Sequence, residues 1–110
     1  MHFQKVIAIQ KTMAATNSYV SLLKNFKQIH AAEYGITRMG IFGSVARGEQ
    51  TNESDVDIYF ETNKKLSLFR MGGLMYDLKE LLGVPIDLVH NTNNLPDTFK
   101  QRIEKDMIYV

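Results

Sequence analysis

A chain of 110 residues, 45% hydrophobic and 23% charged, suits one globular domain with a single modest core. The absence of cysteine excludes disulfides, thiolate metal sites and a cysteine nucleophile, and a formal net charge of +1 gives no global basic footprint for nucleic acid. The apolar runs are far shorter than the roughly 20 residues of a membrane-spanning helix. Phe3 to Ile9 is interrupted by Gln10 and Lys11 before it could serve as a secretory signal, so a cytoplasmic protein that binds neither membrane nor nucleic acid directly is expected.

In chain order, Tyr19, Leu22, Leu23, Phe26 and Ile29 recur at three- and four-residue spacing and predict a helix. Thr16, Asn17 and Ser18 are its candidate N-caps, and Gly35 its end. Residues 1–15 precede this pattern and are read as an N-terminal extension to a domain over 16–110, with Met13 as an alternative start. Thr37 to Gly43 reads as a short strand, Ser44 to Glu49 as a turn or single helical turn, and Thr51 to Ser54 as polar loop. Asp55 to Glu61 alternates strictly, a strand with Val56, Ile58 and Phe60 toward the core and Asp55, Asp57, Tyr59 and Glu61 on the other face. A second helix covers Leu66 to Leu82, with Met71, Leu74, Leu78, Leu81 and Leu82 on one side. Gly72 and Gly73 weaken its first half by about 1 kcal/mol each, which leaves a start after them open. Val84 to His90 forms a third strand, Pro96 to Lys105 a last helix, and Met107 to Val110 an edge strand. The helix between the second and third strands calls for a right-handed crossover and hence a parallel pair. The fold class is α+β, a small mixed sheet with helices packed on one face.

The chemistry gathers in Gly43-Ser44, ten residues, then Asp55-Val56-Asp57. Carboxylates two positions apart on a strand point to the same face, and such a pair chelates Mg²⁺, a hard cation that prefers oxygen ligands and substrate phosphates. Gly43 and Ser44 lie where a strand gives way to a turn, with backbone N–H groups free to hold phosphate and no Cβ on Gly43 to block close approach. If the second and third strands are parallel neighbours, Asp87 joins the same face. Three carboxylates there repel one another unless cations intervene. Two Mg²⁺ ions about 3.5–4 Å apart would then clamp an in-line displacement at phosphorus. Asp55 and Asp57 would hold both ions. Asp87 would complete one metal site and activate the attacking hydroxyl.

These residues resemble the signature of the DNA polymerase β-like nucleotidyltransferases. The closer resemblance is to the minimal nucleotidyltransferases, the antitoxin half of HEPN–nucleotidyltransferase toxin–antitoxin pairs. It runs from about residue 17 to the C-terminus, through Tyr34 to Ser44, Ala46-Arg47-Gly48-Glu49, Ser54 to Asp57, Leu82 to Val89 and Ile108-Tyr109-Val110. It implies ATP as donor and transfer of AMP to a tyrosine of a partner HEPN toxin encoded nearby, silencing the toxin's RNase. The rival readings are a small-molecule nucleotidyltransferase of the aminoglycoside-modifying kind, for which a second domain is absent, and a binding antitoxin without catalysis, against which the intact aspartates argue.

Arg47, three residues beyond Ser44, is a candidate ligand for the triphosphate, since a guanidinium grips oxygens bidentately. Glu49 reads as a solvated or pairing residue and Glu61 as periphery. His2, His30 and His90 are scattered and form no metal-ligand pattern. No Gly-x-x-x-x-Gly-Lys is present, which removes a P-loop kinase.

Overall fold

In a computed structural model describing residues 2–91 and 94–110, the chain folds as α1 (His2–Tyr34), β1 (Ile36–Phe42), α2 (Gly43–Ala46), β2 (Val56–Thr62), α3 (Leu68–Leu82), β3 (Ile86–Asn91), α4 (Asp97–Glu104) and β4 (Ile108–Tyr109). The four strands make one mixed sheet in the order β3-β2-β1-β4. β1 runs antiparallel to β2 and β4, and β2 runs parallel to β3 across the α3 crossover. This is the expected α+β class.

The alternation of β2 sets the core. Val56, Ile58 and Phe60 are almost wholly buried and pack with Met39 and Ile41 of β1 beneath Leu23 and Phe26 of α1 and Leu74, Leu78 and Leu82 of α3. Each such side chain contributes about 1.5–3 kcal/mol by leaving water. A smaller cluster gathers Phe42, Tyr59 and Ile103 with Val89, Leu95, Phe99 and Met107. It places the short α4, whose Phe99 and Ile103 are four residues apart, over part of the other face, while Asp87 stays exposed.

α1 departs from the sequence reading. It begins at His2, and Thr16, expected among its N-caps, is a fully buried interior residue. Residues 2–15 contain neither glycine nor proline and include three Ala, two Gln and two Lys, so a helix nucleated downstream extends through them at little cost. Ile29, expected on the buried stripe, is 72% exposed. α3 begins before Gly72-Gly73, because the Ser67 hydroxyl accepts the Arg70 N–H at 3.1 Å and caps the helix there. Leu74, Leu78 and Leu82 are buried as expected, whereas Leu81 is 36% exposed at the edge of that face.

Candidate active site

In the parallel ladder Asp57 of β2 stands opposite Asp87 of β3, and in the antiparallel ladder it stands opposite Phe42 of β1. Parallel partners in register project to the same face, so the two carboxylates share the side of the sheet away from α1 and α3. Asp55 lies one residue before β2 and is exposed. The three are one electrostatic unit: partial burial, then the charges of Asp87 and Asp55, push the Asp57 carboxyl above its ordinary range, while Arg47 pulls it back.

Gly43 follows Phe42 and so emerges beside Asp57. Its φ is +76°, and a Cβ built on it would fall inside van der Waals contact with Asp57 Oδ2. Only glycine brings the backbone this near the carboxylate. α2 then starts without a side-chain cap at Phe42, and the half-buried Ser44 is its second residue.

Whether this site suits Mg²⁺ can be judged from its donors. Asp55, Asp57 and Asp87 offer only carboxylate oxygens, the set a hard divalent cation takes, and the missing Cβ at Gly43 keeps the space against Asp57 open. Among the described residues no three Asp, Glu or His side chains already converge as a ligand set. The residues fit the ion chemically.

Arg47 is not aimed freely at this space. Its Nη1 donates to Asp106 Oδ2 at 2.9 Å and its Nε to Glu49 Oε2 at 3.1 Å, bonds that raise its pKa further. Asp106, beyond α4, was not singled out in the sequence, because nothing local links it to Arg47. Glu61 accepts the Tyr59 hydroxyl at 2.6 Å, and burial together with this bond pushes the Tyr59 pKa up to about 12. His90 stacks on Phe60 with ring centroids 4.5 Å apart, and its Nε2 lies 2.8 Å from Thr62 Oγ1. His30 sits on the α1 surface 3.1 Å from Glu33. Of these residues only Arg47 acts on the Asp57 carboxyl.

A family model described as "Nucleotidyltransferase domain" matches residues 22–110. The chain belongs to this family. A Methanocaldococcus jannaschii protein named "putative protein adenylyltransferase MJ0128" is 36% identical over 101 residues, covering 89% of this chain and 100% of the relative. A Thermococcus cleftensis protein adenylyltransferase, MntA, is 32% identical over 90 residues, 82% of this chain and 90% of its own length. Among solved structures, one described as a "putative minimal nucleotidyltransferase" superimposes with a TM-score of 0.63 at 28% identity, over 91% of this chain and 93% of that one. A tri-AMPylated Shewanella oneidensis HEPN toxin in complex with MNT antitoxin supplies a neighbour at TM-score 0.54 and 17% identity, over 89% of this chain and 70% of that one, a likeness of fold. The chain is thus a nucleotidyltransferase, similar in sequence to proteins named protein adenylyltransferases.

Proposed function

We propose that this nucleotidyltransferase moves AMP from ATP to a tyrosine hydroxyl of a partner HEPN toxin in the cytoplasm and thereby acts as its antitoxin. The observation that carries the reading is the register of Asp57 opposite Asp87, with the Gly43 backbone against the Asp57 carboxylate. It supports a phosphate cradle and an acidic cluster as two parts of one site.

Asp55, Asp57 and Asp87 would hold Mg²⁺, two ions in all, with the first two aspartates serving both. Bound there, Mg²⁺ neutralises the crowded carboxylates and offsets charge on the phosphate oxygens. The Gly43 and Ser44 backbone and the Ser44 hydroxyl receive the triphosphate. Arg47 spends two of its five N–H donors on Asp106 and Glu49 and would offer the others to a phosphate oxygen. The acceptor oxygen forms its bond to the α-phosphorus as the bond from that phosphorus to the bridging oxygen breaks and pyrophosphate departs. Asp87 would take the hydroxyl proton as that bond forms. The support for a protein acceptor is the naming of relatives as protein adenylyltransferases. The fold likeness to an antitoxin bound to an AMPylated HEPN toxin supports the class of partner.

The test is to incubate the chain with α-labelled ATP, Mg²⁺ and a HEPN protein encoded beside it, then locate the label by mass spectrometry. AMP on a partner tyrosine, lost with Asp57→Asn, is the expected result. An unlabelled partner, or equal labelling by the variant, overturns the assignment.

A further inference from the structure

α2 is a helix of four residues, too short to fix its own position by helical hydrogen bonds. Its placement nevertheless sets how far Gly43 and Ser44 stand from Asp57. Three side-chain contacts tie the segment from Val45 to Gln50 to α1. Thr16 Oγ1 lies 2.6 Å from the Val45 carbonyl oxygen, Thr12 Oγ1 lies 2.6 Å from that of Gly48, and Gln50 Nε2 donates to the Thr12 carbonyl at 2.9 Å. A hydroxyl has one proton to give. A helical threonine ordinarily spends it on the carbonyl four residues back, and Thr16 has that option at Thr12, 3.0 Å away. The shorter contact is to Val45, on the carbonyl that also accepts the Gly48 N–H at 3.0 Å. Thr16 is fully buried, so water cannot replace it. Gly48 lets α1 come this close, because Met13 occupies the place where its Cβ would be.

We infer that Thr16, assisted by Thr12, is a positioning residue for the nucleotide cradle: α1 holds the one-turn α2 against Asp57 through the Val45 and Gly48 carbonyls. Both threonines precede residues 22–110, the stretch matched by the family model, and lie in the N-terminal helix α1. The inference rests on the proposed role of Gly43 and Ser44. Val45 adjoins Ser44 directly, and a displacement near 1 Å at a reacting group can cost about 100-fold in rate.

The experiment is calorimetric titration of MgATP into the full-length chain and its variants, beside thermal melting of each, at a temperature where all are folded. Thr16→Val keeps the shape and removes the hydroxyl. It should melt lower and bind MgATP at least about tenfold more weakly, in keeping with the sensitivity of such sites to small displacements. Thr16→Ser should restore both. Leu74→Ala, a core truncation in the first half of α3, the half that follows β2 rather than leading into Asp87, should melt lower yet bind as the parent does, which a purely structural role for Thr16 would equally predict for Thr16→Val. Should Thr16→Val not fold, Thr12→Val decides, with weakened binding expected from an intact fold. Parent-like binding by the folded threonine variant overturns the brace. Gly43→Val separates the two readings: if it too binds as the parent, the cradle assignment has failed. If it loses binding while the threonine variant keeps it, only the brace has failed.

Discussion

Placing a methyl group on Gly43 tests the geometry of the site without any assay of transfer. Two costs arise in Gly43→Ala. The backbone stays at φ +76°, where an L-residue loses about 1–2 kcal/mol. The new Cβ also invades Asp57 Oδ2 and lies 3.3 Å from Asp57 Cγ, so the carboxylate must swing aside, an overpacking cost of about 1–3 kcal/mol. The sum, about 2–5 kcal/mol, is a large part of the roughly 5–15 kcal/mol available to a small domain. In an Asp57→Ala background the invaded atoms are gone. The nearest remaining Asp57 atom is its Cβ at 3.6 Å, an ordinary contact, so only the backbone cost persists. Relief of repulsion from Asp87 and Asp55 appears in both Asp57→Ala proteins and cancels from the cycle. Urea denaturation of the parent, both single variants and the double variant should therefore give a coupling of about 1–3 kcal/mol, beyond the roughly 0.5 kcal/mol scatter of independent sites. Additivity within that scatter would mean that Gly43 does not abut Asp57, and the cradle and the acid cluster would no longer be one site.

Asp57→Asn should melt at or above the parent temperature, because burial and two like charges disfavour the carboxylate in the fold. AMP transfer should nevertheless fall at least about 10²–10³-fold; a lower melting temperature or near-normal transfer would refute the reading. Gly72→Ala should raise stability by about 1 kcal/mol in denaturant titration, since nothing lies within 4 Å of a Cβ at that helical position; a loss would mean the space is filled. Burial lowers the His90 pKa from its ordinary 6.5, so the unfolded chain takes the proton more readily. The stability His90 contributes is thus present above pH 6.5 and is lost as pH falls through its folded value. Replacing His90 with Gln should flatten that part of the stability curve between pH 7 and 5, and an unchanged slope would count against it. Leu74→Ala, in the centre of the core, should cost about 2–5 kcal/mol, and a smaller loss would place α3 less firmly on the sheet.

The sequence by itself determined the periodic parts of this protein. Alternation in Val56, Ile58 and Phe60 assigned the buried face of β2 and put Asp57 on the other, because side-chain direction in a strand depends only on parity; Asp55, expected within the strand, lies one residue before it. The crossover helix implied that β2 and β3 are parallel, and from that Asp87 could be expected beside Asp57, as the register has it. What only the tertiary structure decided has no local period to announce it. Thr16 read as an N-cap because an isolated threonine before an apolar stripe has that propensity. It became an interior residue because the Val45 carbonyl, 29 positions away, outbids a helix end that moved to His2. Ile29 lost its place on the buried stripe because the buried face of α1 runs through Leu23, Phe26 and Tyr34, and Ile29 lies off that line around the helix. Arg47 was legible as a cation near the phosphate turn but not as the partner of Asp106, 59 positions on. Contacts of that range are fixed by how helices seat on the sheet, which depends on the whole core at once.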